Sequence, residues 1–340
     1  MKPERICIVM MSAVGDAVHV LPVINAIKRA TPSSRITWVL QPGPASLVRG
    51  HRSVDEVIIF DRTRGVAAFT GVIGELRARE FDLLIDLQVY FKAGLITALS
   101  GVRRRLGFDR ARARDGNWLF TTERIPPRPV QHVQDQYFEF LAALGVEAQP
   151  VEWDIGPWEG EREWQARFSS QFDRPIASIV VATSKPAKDW LPERWAAVCD
   201  TLAGHGLQPV LVGGTSDRET AAAREITRLS TTTAFSALGS GLRNLVSILD
   251  ASEVVLSPDT GPLHMTVAVG TPVISLMGYT DPRRTGPYRR FDDLIIDAFH
   301  DPGEKGPVTM ETRRDRMHRI TVDDVAAKIG LWSERYRGKS

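Results

Sequence analysis

The chain has 340 residues, the length of one large or two medium domains. Apolar residues at 43% and charged residues at 25% exclude a disordered, collagenous or disulfide-scaffold protein. The net charge of +2 gives the chain as a whole no reason to bind nucleic acid. That sum is uneven, because residues 1–150 carry +5 and residues 151–340 carry −3, with 35 arginines to 8 lysines. Arg is the better fork for phosphate and carboxylate, and a GC-rich genome gives the same bias. Cys7 and Cys199 lie too far apart for a metal or disulfide spacing, which points to a reducing, cytoplasmic compartment.

In chain order, short β-branched runs alternate with amphipathic segments, the pattern of βα units around parallel sheets. Strands are predicted at Arg5–Met11, Arg35–Gln41, Glu56–Phe60 and Phe81–Leu87, and helices at Ala17–Ala30, Gly65–Arg79, Phe91–Leu99 and Val133–Leu144. Glu147 to Gly160 breaks the pattern with two prolines, two glycines, two tryptophans and a local charge of −4, and reads as a linker. A second series follows. Its strands are Ala177–Ala182, Pro209–Val212, Glu253–Leu256 and Pro272–Met277, and its helices Pro192–Ala203, Asp217–Leu229, Leu242–Asp250 and Gly261–Val269. A last helix is expected at Val322–Leu331.

The expected fold is α/β: two Rossmann-like, doubly wound parallel-sheet domains facing a cleft, where ligands of such sheets bind. The domains are expected at 1–155 and 156–320, with a C-terminal helix in 321–340. No membrane span is predicted. Ile6 to Val14 is apolar behind Lys2 and Arg5, but no small-x-small cleavage site follows. Thr260 to Thr280 is uncharged over 21 residues, yet its glycines and prolines make it helix, turn and strand.

No G-x-G-x-x-G follows the first strand, and no P-loop, D-x-D, H-E-x-x-H, Cys/His cluster or G-x-S-x-G elbow occurs. Metal-free chemistry is therefore expected. Three segments could carry it. Ser12-Ala13-Val14-Gly15-Asp16 runs from a strand into a helix, so Asp16 is either a general base or an N-cap. His19, one turn on, reads as a partly buried helix residue. Thr183-Ser184-Lys185-Pro186-Ala187-Lys188 offers two hydroxyls and two lysines to an anion, or is a solvated loop anchored by Trp190. Asp259-Thr260-Gly261-Pro262-Leu263-His264 opens a helix, where the amides of Thr260, Gly261 and Leu263 and the dipole make an anion site. Its bland alternative is a capped helix with a core histidine.

Together these segments resemble glycosyltransferase family 9, the ADP-heptose:lipopolysaccharide heptosyltransferases. The resemblance rests on S-x-x-G-D at Ser12–Asp16, on Lys188-Asp189-Trp190-Leu191-Pro192-Glu193, and on the block from Asp259 to Tyr288. That block contains Gly270-Thr271-Pro272-Val273 and Thr280-Asp281-Pro282-Arg283-Arg284-Thr285-Gly286-Pro287-Tyr288. Asp86-Leu87-Gln88 with Lys92, and Arg105-Leu106-Gly107-Phe108, match blocks of the family's N-terminal half. An extra residue between Trp190 and Pro192 is the one departure; it bears on the Trp190 contact and not on Lys188.

The resemblance implies a GT-B architecture and an inverting transfer of heptose from ADP-L-glycero-D-manno-heptose to the Kdo or heptose of a lipopolysaccharide inner core. It implies Asp16 as general base. It implies a donor site of Thr183, Ser184, Lys188, Glu219, Asp259, Thr260, Gly261 and His264, with no cofactor and no metal. Six arginines between Gly101 and Arg114, with Arg62 and Arg64, then face a polyanionic acceptor, or form a solvated charged loop. Acceptor contacts are assigned to Arg62, Arg64, Gln88, Lys92, Arg103 and Arg105. The partners are thus a nucleotide sugar and an anionic lipid-linked sugar, not nucleic acid, with room for transient contact at the inner-membrane surface. Two other readings compete: another GT-B enzyme using a different nucleotide sugar, and a non-catalytic polyanion binder. The second lacks aromatics interleaved with its arginines.

Overall fold

The structure, a computed structural model, describes residues 3–338. Lys2 of the apolar start and the outermost residues of the expected domain ranges, 1–2 and 339–340, lie outside the described residues. Internal contacts divide the chain into one unit of residues 3–129 and 133–154 and a second of residues 130–132 and 155–338.

The first unit contains β1 (Arg5–Val9), β2 (Arg35–Leu40), β3 (Glu56–Ile59), β4 (Leu83–Asp86), β5 (Arg105–Gly107) and β6 (Glu123–Arg124). They form one parallel sheet in the order β3-β2-β1-β4-β5-β6. Its core joins Cys7, Val9, Val39, Ile58, Leu84 and Ile96 beneath the helices Val66–Arg77 and Phe91–Leu99. The apolar start Ile6–Val14 is β1 and the entry to the helix Val14–Ala30.

In the second unit β7 (Ile176–Val180), β8 (Gln208–Val212), β9 (Phe235–Ser236), β10 (Ser252–Pro258), β11 (Val273–Met277) and β12 (Ile295–Asp297) form another parallel sheet, ordered β12-β11-β10-β7-β8-β9. Both sheets therefore wind outward in two directions from a central pair, β1 with β4 and β10 with β7. Crossover connections leave these two pairs on opposite faces, which opens a crevice at the carboxyl ends of the strands.

The terminal helix, Val322–Arg335, extends the expected Val322–Leu331 and packs into the second unit. Trp332 is fully buried and its indole N–H donates to the Glu253 carbonyl at 3.1 Å. Trp190 meets Trp195 edge to face at 4.6 Å and donates to the Ile320 carbonyl at 3.1 Å. Trp190 is thus a core residue of the second unit.

The structure adds elements that periodicity does not predict. Strands β5, β6, β9 and β12 have two or three residues each and exist through pairing with a neighbour. The helix Glu159–Ser169 begins inside the expected linker, where Glu161 accepts from the Trp158 N–H at 2.9 Å. Only Phe168 of that helix is buried, so it carries little apolar pattern. The helix Pro42–Val48 is likewise short. Among the described residues no helix is long and apolar enough to cross a membrane.

Candidate active site

In the first unit, β1 and β4 bring two loops to the carboxyl edge. The helix Val14–Ala30 has Ala13 as N-cap, so Asp16 is not the cap but the third helical residue. Its carboxylate reaches back to accept from the Ala13 N–H at 2.8 Å, and the Tyr137 hydroxyl donates to the other oxygen at 3.3 Å. Asp16 remains half-buried, held on both oxygens at a strand end. His19 is buried one turn on, bonded through Nδ1 to Gln134 at 3.0 Å.

Across the central pair, the Gln88 side-chain amide donates to the Ser12 carbonyl at 3.2 Å, so Gln88 braces the loop that carries Asp16. Beneath it Asp86 is wholly buried and accepts from Thr97 and Asn117, each at 3.1 Å, and from the Gln88 N–H at 3.1 Å. Burial outweighs these donors and raises the Asp86 carboxyl to about 7. Lys92 is exposed on the first turn of the next helix.

The arginine cluster separates into two populations. Arg62, Arg64, Arg103, Arg110 and Arg114 are exposed. Arg105, expected to face an acceptor, instead donates to the Phe120 carbonyl at 2.9 Å and the Val102 carbonyl at 2.6 Å. Arg104 pairs with Glu123 at 2.7 Å. Arg112 is buried and holds Glu139 through two bonds of 2.7 Å, with Asp109 on its third nitrogen. An aromatic also enters the cluster: Trp118 lies 4.8 Å from the Arg110 guanidinium and 5.3 Å from that of Arg124. Beside it a cavity of about 570 Å³ is lined by Asp109, Arg110, Ala111, Arg124, Ile125 and Pro127.

In the second unit, the central pair β10 and β7 carries the sharper motifs. Asp259, buried at the end of β10, receives Lys188 Nζ at 2.6 Å from the loop after β7. Thr280 and Thr285 also donate to the same carboxylate oxygen, Thr285 at 3.3 Å. His264 Nε2 stands 3.7 Å from the other oxygen. Burial alone would raise the Asp259 carboxyl, but the neighbouring His264 and the Lys188 charge prevail and hold it far below the usual carboxylate range. Thr280 and Thr285 belong to the Thr280–Tyr288 block, but their role becomes visible only when β11 is placed beside β10.

Thr260 is the N-cap of the helix Gly261–Val269. The Leu263 amide, expected to face an anion, donates to the Thr260 carbonyl at 3.1 Å. Helix geometry leaves the amides of Thr260 and Gly261 at the open end. Thr183 is buried, with its N–H and hydroxyl on Asp189 at 2.7 and 2.8 Å, while Ser184 is exposed. Arg218 locks this loop by donating to the Thr183 carbonyl and pairing with Asp189 at 3.0 Å. Glu219 accepts from the Gly214 N–H and the Ser216 hydroxyl, both at 2.6 Å, within a capping box at the β8 crossover. Burial opposes these bonds, which nevertheless keep its carboxyl below the ordinary value. Tyr137, Gln134, Asn117 and Arg218 have no local signature in the sequence; each acts through a partner at least 29 residues away.

Among the described residues, no three or more His, Cys, Asp or Glu side chains gather as metal ligands. What the second unit gathers is a helix end beside a lysine that a buried carboxylate positions, the chemistry that suits an anion.

The family model for glycosyltransferase family 9 (heptosyltransferase) matches residues 70–302. The chain is 30% identical over 342 aligned positions to the lipopolysaccharide core heptosyltransferase OpsX of Haemophilus influenzae, covering 97% of this chain and 98% of that one. A family 9 glycosyltransferase structure from Veillonella parvula superimposes with a TM-score of 0.82 at 20% identity, covering 97% of both chains. The Escherichia coli heptosyltransferase WaaC with ADP gives 0.75 at 23% identity, covering 98% of this chain and 99% of that one. The fold is GT-B, and the chain belongs to glycosyltransferase family 9, the heptosyltransferases.

Proposed function

We propose that this enzyme transfers heptose from ADP-L-glycero-D-manno-heptose to the Kdo or heptose of a lipopolysaccharide inner core, with inversion and without a metal. The observation that carries the donor assignment is the Lys188–Asp259–His264 cluster at the open end of the helix Gly261–Val269. The name of the Haemophilus influenzae relative supports the acceptor class.

In this reading the first unit binds the acceptor, and Asp16 takes the proton of the attacking hydroxyl. The acceptor oxygen bonds to the anomeric carbon as the bond from that carbon to the β-phosphate oxygen breaks. The electron pair stays on that oxygen, and ADP leaves with one more negative charge than it carried as an ester. Lys188 and the amides of Thr260 and Gly261 then bind the leaving group more strongly than the ground state, which is what lowers the barrier. These donors take the place of a divalent ion. One base and direct displacement give inversion. Glu219 is assigned to the donor's ribose and exposed Ser184 to its phosphates, while Thr183, buried on Asp189, shapes the loop that carries Ser184.

Arg62, Arg64, Lys92 and Arg103 are assigned to the anionic acceptor. Val66, Tyr90, Phe91 and Leu119 are exposed apolar side chains of the same unit, Val66 at 78% and Leu119 at 63%. Beside free arginines they suit transient contact with the anionic membrane surface that holds a lipid-linked acceptor.

The test measures ADP release across a set of nucleotide sugars and defined inner-core acceptors. Turnover confined to ADP-heptose with an inner-core acceptor is expected. Comparable turnover with a uridine diphosphate sugar would overturn the donor assignment.

A further inference from the structure

Asp259 sits 2.6 Å from the Lys188 ammonium and offsets part of the charge that Lys188 offers a donor. A second cation beside that pair adds net positive charge for a diphosphate. The structure brings one there. Lys185, on the same loop after β7, is exposed, and among the described residues its ammonium pairs with no carboxylate. It lies 5.7 Å from the Tyr279 ring, as does the Lys188 ammonium. One aromatic ring thus attracts both lysines.

Tyr279 follows β11, so Lys185 and Tyr279 approach from the two strands that flank β10 and the Asp259 turn. The segment after residue 308 completes the arrangement. Thr312 bridges Thr280, and the Arg313 N–H donates to the Tyr279 carbonyl at 2.9 Å. Gly278 permits the approach, since a Cβ there would meet the Met317 nitrogen at 2.8 Å. Arg314, next in the chain to Arg313, is exposed. Hydrogen bonding by Thr312 and then the charges of Lys185, Arg314 and Lys188 hold the Tyr279 phenol below its ordinary range.

We propose that Lys185, Tyr279 and Arg314 form a second anion clamp that takes the terminal phosphate of the nucleoside diphosphate, beside the Lys188–Asp259 pair. The proposal rests on the donor reading above. Lys185 supplies the uncompensated charge, Arg314 a fork for phosphate oxygens, and Tyr279 the platform that fixes Lys185. The clamp acts on the β-phosphate, where charge accumulates as the glycosyl bond breaks.

Calorimetric titration with ADP and with AMP tests this, since only ADP carries the β-phosphate. Lys185→Ala is expected to weaken ADP by about tenfold, the loss of one charged hydrogen bond, with AMP within about twofold of wild type. Arg314→Ala and Tyr279→Leu are expected to act in the same direction, and Lys185→Arg to restore ADP binding. Lys185 and Arg314 are exposed, so an unchanged melting temperature certifies the variants. Unchanged ADP affinity in Lys185→Ala, or an equal loss for AMP, overturns the clamp while leaving the donor assignment standing. A wild-type protein that binds no ADP overturns both.

Discussion

The Lys188 ammonium and the Asp259 carboxylate meet at 2.6 Å across the central strand pair of the second sheet, 71 residues apart in the chain. Lys188 is 16% exposed and Asp259 7%, so neither charge is well solvated without the other. In the proposed reaction the pair acts by position: Asp259 holds the lysine where the helix Gly261–Val269 opens. Removing one partner leaves a buried charge uncompensated, which costs about 3–5 kcal/mol. Lys188→Met and Asp259→Leu are each expected to lower the melting temperature and abolish transfer. The double variant is expected to regain much of the stability and none of the activity. Calorimetry and ADP release on the three proteins measure this, and additive losses in stability would contradict the coupling.

Asp16→Asn preserves the bond from Ala13 N–H and removes the proposed base. Transfer is expected to fall by about 10²–10⁴, the usual range for a general base, with donor affinity unchanged. Turnover near wild type would refute Asp16 as the proton acceptor. Tyr137→Phe releases one Asp16 oxygen, and transfer is expected to fall with donor affinity unchanged, read by steady-state kinetics and ADP titration.

Arg103 and Arg105 separate binding from structure. Arg103→Ala is expected to raise the acceptor KM with the melting temperature unchanged. Arg105→Ala strips donors from the Phe120 and Val102 carbonyls, and its main expected effect is lost stability. Steady-state kinetics with thermal melts distinguish them, and an unaltered acceptor KM for Arg103→Ala would remove it from the acceptor site.

Asp86 makes stability depend on pH. Its folded carboxyl titrates near 7, above the unfolded value of 3.8, so the native state holds a proton that the unfolded chain has lost between those limits. Stability from this group is therefore complete below about pH 4 and declines as pH rises through about 7. In Asp86→Asn that decline is expected to flatten, read as the difference in melting temperature from wild type between pH 5 and pH 8. An unchanged slope would show that Asp86 ionises freely in the fold.

Much of this protein is set by local sequence. The alternation of β-branched runs with amphipathic segments determines two βα series. The helices Phe91–Leu99, Asp217–Leu229, Leu242–Asp250 and Gly261–Val269 begin and end where the pattern places them. The Asp259–Tyr288 block marks the family, because a strand, an open helix end and a returning loop are local objects whose residues are contiguous. Tertiary structure alone decides what each charge does. Arg105 and Arg103 look alike in the chain, yet one is spent on carbonyls and the other is exposed. The two-residue strands β6 and β9 exist only by pairing, and the Asp86 carboxyl is raised toward neutrality because burial removes its water. The charge asymmetry visible at the outset is likewise refined: part of the first half's positive charge is committed to the protein's own groups, Arg104 to Glu123, Arg105 to carbonyls and buried Arg112 to Glu139. The physical reason is one of range. Propensity and periodicity act over a turn or a strand, whereas hydrogen bonds, ion pairs and desolvation depend on which distant segment the sheet order brings alongside.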